Sequence, residues 1–297
     1  MASESPFIPA DPVRPSPAAA SGEAQPGATA RMPQGSAGAG RPQRVALAGL
    51  GFDPLTETQA VRHIIESARQ GRGGWVATPN IDICRVAATS PALRTLLGSA
   101  SLVVPDGMPL LWAARLRGDT LPERVAGSSL IFSLSEAAAE NGLSIYLLGG
   151  EPGVPARAAE ALRHRYPGLV VTGSDSPRVD REPTAGTIGA VRSRLAAAAP
   201  DIVYVGLGFP KQERLIDGLA ASLPGVWFIS CGAAIPFAAG AVPRAPRWMQ
   251  DAGLEWAFRL MSEPRRLFGR YVLHDIPYAG RLLASSALRR LRPTARA

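Results

Sequence analysis

Asp201-Ile202-Val203-Tyr204-Val205-Gly206-Leu207-Gly208-Phe209-Pro210-Lys211-Gln212-Glu213 is the stretch that decides how this chain folds. Its apolar run shows no polar alternation, as in a strand covered on both faces. A glycine turn follows, and Lys211-Gln212-Glu213 opens a helix. Ser144–Leu148, followed by Gly149-Gly150-Glu151-Pro152-Gly153, repeats the pattern. Outward from these two, further strands are expected at Val45–Leu50, Trp75–Ala77, Ser101–Val104, Leu169–Thr172 and Val226–Ser230. Helical patterns sit between them. Thr56 to Gln70 opens on Thr56-Glu57-Thr58-Gln59, a capping box, and stops at Gly71. Ser128–Glu140, Val154–Arg165 and Thr187–Ala199 follow. Such alternation predicts an α/β fold with a mostly parallel sheet.

Two flanking segments differ from this core. Residues 1–42 hold 8 Pro, 5 Gly, 10 Ala and 5 Ser, too little apolar surface to offset the entropy of ordering, so a disordered tail is expected there. The core is expected over 43–246. Residues 247–297 have no strand pattern; Trp256, Leu260, Leu267, Phe268, Tyr271 and Val272 recur at helical spacing among arginines, with Pro264 and Pro277 expected to divide the region. It reads as a basic, amphipathic helical appendage of the kind that lies on anionic membranes. The net charge of +8 is concentrated there: residues 259–297 carry nine arginines against Glu263 and Asp275. Of 32 basic residues only Lys211 is lysine, and arginine favours bidentate contact with phosphate.

Cys84, Cys231 and three histidines show no metal-ligand spacing, so neither a zinc site nor a disulfide framework is expected. The uncharged run Gly218–Pro243 is interrupted by Pro224, Gly225, Gly232, Pro236 and Gly240. It reads as a buried strand between loops rather than a membrane span.

Ligands of open α/β sheets bind beyond the carboxyl ends of the strands. Thr78-Pro79-Asn80-Ile81-Asp82 follows one strand and suits either a sugar or phosphate contact or a helix N-cap. Pro105-Asp106-Gly107-Met108-Pro109 follows the next; Asp106 suits a general base or, again, a cap. Gly149, Gly150, Gly206 and Gly208 form turns before helices, where N–H groups attract phosphate, and Lys211 and Gln212 stand where a diphosphate would lie. Neither turn matches GxGxxG or a Walker loop, which argues against a nucleotide-cofactor oxidoreductase. A basic nucleic-acid-binding protein is the other alternative, and no recognised module for it is present. DxD is absent too, so a leaving diphosphate would have to be held by arginines and helix N-termini.

Thr78-Pro79-Asn80, Pro105-Asp106-Gly107-Met108-Pro109, Arg124-Val125-Ala126-Gly127, Leu147-Leu148-Gly149-Gly150, Gly206–Glu213, Arg244–Met249, Gly253-Leu254-Glu255-Trp256 and Glu263–Leu267 occur in that order. The series resembles the WecG/TagA/CpsF glycosyltransferases, family 26, over about residues 44–275. The resemblance implies a Rossmann-like core, and an inverting, metal-independent transferase needing no cofactor. It would move N-acetylmannosamine, its uronic acid or a glucose-type sugar from a UDP-sugar donor to an undecaprenyl-diphosphate-linked glycan, for cell-surface polysaccharide. It also implies a peripheral position on the cytoplasmic face of the plasma membrane, with no nucleic-acid partner, and is compatible with a homo-oligomer. By position, Asp106 matches the family's proposed base, and Thr78, Asn80 and Gln212 its pocket. Arg259, Arg265, Arg266 and Arg270 match appendage arginines thought to reach the UDP diphosphate. The chain departs from the family at Gly127-Ser128-Ser129, where GSD is common, at Ile235-Pro236-Phe237, where an Asp often stands between aromatics, and at Gly269-Arg270, where a basic pair is usual.

Overall fold

Continuous apolar runs work here because each strand feeds two cores. In Ser144–Gly149, Ile145 and Leu147 pack on one face of the sheet and Tyr146 and Leu148 on the other. In Ile202–Gly206, Ile202 and Tyr204 share the first face, and Val203 and Val205 the second. The protein is described from a computed structural model over residues 43–246, 248–249 and 253–291. Segment 1–42 and the Arg266 side chain, both singled out above, lie outside the described residues.

The strands are β1 (Val45–Leu47), β2 (Leu50–Phe52), β3 (Gly74–Ala77), β4 (Leu102–Val103), β5 (Ser144–Gly149), β6 (Val170–Asp175), β7 (Ile202–Gly206) and β8 (Trp227–Ser230). Six form one parallel sheet in the order β4-β3-β8-β7-β5-β6. The helices are α1 (Glu57–Arg69), α2 (Ile81–Ala88), α3 (Pro91–Gly98), α4 (Met108–Arg117), α5 (Gly127–Glu140), α6 (Val154–Arg165), α7 (Ala185–Ala198), α8 (Lys211–Ala220) and α9 (Ala234–Ala238). C-terminal to these come α10 (Glu255–Ser262), α11 (Pro264–Phe268), a π-helical segment over Gly269–Asp275, and α12 (Ile276–Leu291). Thr56 caps α1 as its sequence predicts: its side chain accepts from Gln59 N–H while the Gln59 side chain accepts from Thr56 N–H.

Two expectations change. Val45–Leu50 is not one strand of the sheet. Ala48 and Gly49 both take left-handed φ angles, +52° and +80°, and reverse the chain into the antiparallel β1–β2 hairpin. Buried Asp53 then joins this hairpin to β4: its N–H donates to Val103 O at 2.8 Å, its Oδ2 accepts from Val103 N–H at 2.8 Å, and Arg44 pairs with it. The hairpin thereby covers the edge of the sheet. Pro277 does not end a helix either. It lies in the first turn of α12, directly after the π-helical segment, and the chain is helical throughout from Pro264 to Leu291.

Helix α12 packs on α4, and its Tyr278, Leu282 and Leu283 extend the core on that face. Arg85 of α2 is held between Asp275, at 3.0 Å, and Asp82, at 2.5 Å, which ties the π-helical segment to α2.

One glycine fixes how closely α5 meets the sheet. A Cβ on Gly127 would stand 2.8 Å from Cys231 Cα and 3.1 Å from Ser230 O, both backbone. Gly127→Ala is therefore expected to destabilise the protein by about 1–3 kcal/mol, as overpacking does, read as a lower midpoint of chemical unfolding. An unchanged midpoint would show that α5 can move away at no cost.

Candidate active site

The sheet order brings the sequence-predicted turns onto one rim. The ends of β4, β3, β8, β7 and β5 carry, in that order, Asp106, Thr78 with Asn80, Cys231-Gly232, Gly206-Leu207-Gly208 and Gly149-Gly150. Close backbone approach makes the rim tight. A Cβ on Gly149 would meet Gly206 O at 2.6 Å, and one on Gly206 would meet Gly232 O at 2.8 Å. Gly149 and Gly150 have φ of +114° and +91°, which favours glycine at both, and at Gly149 the close backbone requires it a second time.

Asp106 is not a cap. Gly107 is the N-cap residue of α4 and no side chain caps that helix, which leaves the carboxylate to other work. Its backbone N–H donates to Pro79 O at 3.0 Å, and Val125 N–H donates to Pro105 O at 2.9 Å. The acid is thus braced on both sides while its side chain keeps 27% exposure. Burial pushes the carboxyl up to about 6, opposed chiefly by Arg124 and assisted by Glu255, with Arg259 and Arg244 also pulling it down.

Charges from three distant segments surround it, since Glu255 and Arg259 share α10. Arg124 Nη1 lies 3.5 Å from Asp106 Oδ1 and 3.3 Å from Glu255 Oε2, bridging the two acids. Arg244 donates to Ser129 Oγ at 2.9 Å in the first turn of α5. Burial pulls its guanidinium below the usual arginine value, with Glu255 opposing. Arg259 stacks over the Phe237 ring, 5.4 Å from its centroid. The Nε groups of Arg244 and Arg259 are buried and make no hydrogen bond among the described residues. Three guanidinium groups therefore stand around Asp106 and Glu255, with N–H groups to spare. Helix α5 adds to this, since its N-cap, Ala126, supplies no side chain to the first-turn N–H groups. The arrangement suits a proton acceptor beside an anionic group such as a diphosphate.

Other candidates serve the frame. Thr78 Oγ1 donates to Ser230 O at 2.9 Å, tying β3 to β8. Asn80 caps α2, its Oδ1 accepting from Ile83 N–H at 3.0 Å. Gln212 is buried, and its Oε1 accepts from the N–H groups of Gly208 and Gly232 at 3.1 and 3.2 Å. That corrects the expectation that the Gly208 N–H is open to phosphate: it is spent on Gln212. Lys211 opens α8, half-buried. Arg270 lies over Tyr271 and 3.8 Å from Asp82, and Arg265 is exposed on α11. Among the singled-out appendage arginines whose side chains are described, Arg259 is the one whose charge acts on Asp106.

Arg124, Arg244 and Glu255 were not among the candidate site residues. Each lies in a short motif quoted above, but the Arg124–Glu255 pair spans 131 residues of chain. A charged residue between apolar neighbours, as in Pro243-Arg244-Ala245 and Leu254-Glu255-Trp256, is the local signal that two of them offer; Arg124 follows Glu123 and lacks even that.

A model of the glycosyl transferase WecG/TagA/CpsF family matches residues 45–292. A Bacillus spizizenii (strain ATCC 23059 / NRRL B-14472 / W23) protein named N-acetylglucosaminyldiphosphoundecaprenol N-acetyl-beta-D-mannosaminyltransferase is 30% identical over 198 residues, 66% of this chain and 74% of that one. The Bacillus subtilis (strain 168) protein of the same name is 30% identical over 206 residues, 69% of this chain and 77% of that one.

Proposed function

The chain belongs to the WecG/TagA/CpsF glycosyltransferase family, and we propose that it transfers a sugar from a UDP-sugar to a polyprenyl-diphosphate-linked sugar, with inversion. The relatives are named for N-acetylmannosamine transfer to an N-acetylglucosaminyl-diphosphoundecaprenol, and N-acetylmannosamine is the first donor sugar to try. The observation that carries the reading is the Asp106 carboxyl, raised to about 6 and ringed by Arg124, Arg244 and Arg259.

In this reading Asp106 takes the proton of the acceptor hydroxyl as that oxygen attacks the anomeric carbon. The bond from that carbon to the diphosphate oxygen breaks on the opposite side. The guanidinium groups and the α5 N-terminus stabilise the charge that develops on departing UDP, in place of a divalent ion. Release of UDP from a panel of UDP-sugars, with a short-chain prenyl-diphosphate N-acetylglucosamine acceptor, tests it. UDP release and an inverted product, unchanged by EDTA, are expected. No release with any donor, or a loss restored by added Mg²⁺, overturns the corresponding part.

No helix among the described residues is long and apolar enough to cross a membrane. Exposed large apolar side chains are instead concentrated near the C-terminus. Trp248, Leu254, Trp256, Met261, Phe268, Leu273, Ile276 and Leu288 account for eight of eleven among the described residues. We propose that this segment meets the anionic surface where a prenyl-linked acceptor resides. Because α12 also completes the core, point substitutions test this better than deletion. Phe268→Ser with Leu273→Ser is expected to weaken sedimentation with phosphatidylglycerol vesicles while the unfolding midpoint holds. Unchanged sedimentation would remove these side chains from the contact.

A further inference from the structure

Beneath the rim, a buried relay reaches the turns without touching Asp106. Gln212 is 3% exposed and Glu213 1%. The Gln212 carboxamide has one accepting and one donating end. Its Oε1 receives the N–H groups of Gly208 and Gly232, which belong to the turns after β7 and β8. Its Nε2 donates to Glu213 Oε1 at 2.8 Å. Trp75 Nε1 donates to Ser230 Oγ at 2.9 Å, and the Ser230 hydroxyl adjoins the Glu213 carboxyl. Burial pushes Glu213 up to about 7, against the Gln212 hydrogen bond; neutral or ionised, the group keeps an oxygen that can accept from Nε2.

An amide can turn end for end with little change of shape, so the partner at one end decides what the other end presents. If Gln212 turned, its NH₂ would confront two N–H donors and both turns would lose their acceptor. The turns cannot shift independently. Gly232 O stands 2.8 Å from the Cβ site of Gly206, and Gly206 O stands 2.6 Å from that of Gly149. Movement of one turn is passed along the rim.

We propose that Glu213 is a positioning residue: by accepting from Gln212 Nε2 it locks Gln212 Oε1 onto Gly208 and Gly232, and so sets the rim against which the nucleotide is bound. The inference rests on the reading that a nucleotide diphosphate occupies the rim.

Glu213→Leu, Glu213→Gln, Gln212→Leu and the Gln212→Leu/Glu213→Leu pair test it in the full chain. Glu213→Leu is expected to raise KM for the UDP-sugar about tenfold, the scale of one lost hydrogen bond, with kcat changed less. Exchange of the Gly208 and Gly232 amide hydrogens is expected to accelerate. Glu213→Gln, which keeps an accepting oxygen, restores both readouts, and the double variant is no worse than Gln212→Leu. Unchanged KM and exchange in Glu213→Leu overturn the proposal, as does a double variant whose losses multiply. Should Glu213→Leu fail to fold, Glu213→Ser, too short to reach Gln212 Nε2, is read in the same way, and faster exchange at Gly208 and Gly232 is again expected. A wild-type protein that binds no UDP sinks the donor reading alone, because amide exchange still reports on the relay.

Discussion

Asp106→Asn lowers kcat about 10²–10⁴-fold, the contribution of a positioned base, and leaves the protein more stable at neutral pH. Both effects come from one carboxyl group. Asn keeps the size of Asp, and the braces around position 106 are backbone bonds to Pro79 and Pro105 that no side chain enters. What disappears is the ability to take a proton. The stability effect follows from the direction of the pKa. Folding raises the carboxyl from 3.8 to about 6, mainly by burial, so the folded state holds its proton where the unfolded chain has released it. Stability from this group is full below about pH 4, falls as pH rises toward 6, and stays reduced above. The cost at pH 7 is on the order of 2–3 kcal/mol. In Asp106→Asn that cost vanishes, and with it this part of the pH dependence between 4 and 6. In the wild type, kcat/KM rises with pH through about 6 as the base becomes ionised. Chemical unfolding at pH 4 and pH 7, beside turnover, checks both. A variant that keeps near-normal turnover removes Asp106 from proton transfer. One that turns over poorly and is also less stable makes Asp106 a structural ion-pair partner.

The fold was largely legible because it is written in local signals. Ile202–Val205 and Ile145–Leu148 are apolar at every position, which requires two covering layers, and the glycines after them mark the strand ends. The hairpin at Ala48-Gly49 escaped because its reversal depends on a left-handed alanine, which no propensity favours. At the site, Asp106 stood out because proline and glycine flank it. Its chemical setting did not, because Arg124, Arg244 and the α10 pair Glu255 and Arg259 reach it from separate parts of the chain. Gln212 illustrates the converse. Its position beside a glycine turn suggested contact with a ligand, whereas both ends of its amide are occupied by the protein. Spacing locates a side chain near a site; only packing decides whether it faces ligand or frame.

Arg124→Met should have the second large effect, and it separates two roles that one guanidinium can hold. The side chain is 17% exposed, between Asp106 at 27% and Glu255 at 13%. Removing it leaves two acids confronting each other in poor solvent, and breaking such a pair by deleting one partner costs about 3–5 kcal/mol when buried, less here because Asp106 is partly wet. Arg124 is also the main influence holding the Asp106 carboxyl down, so without it that carboxyl rises further above 6. The pH midpoint of kcat/KM moves upward, and less of the base is ionised at pH 7. Adding Glu255→Gln removes the second acid, which raises the Asp106 pKa, so stability and pH midpoint both return toward the wild type. Activity is not expected to return with them, because the diphosphate still lacks the Arg124 contact. Unfolding midpoints, pH profiles and UDP affinity of the single and double variants decide it. If Arg124→Met/Glu255→Gln recovers UDP affinity and turnover together with stability, then Arg124 only neutralises its two acids, and Arg244 and Arg259 carry the leaving group.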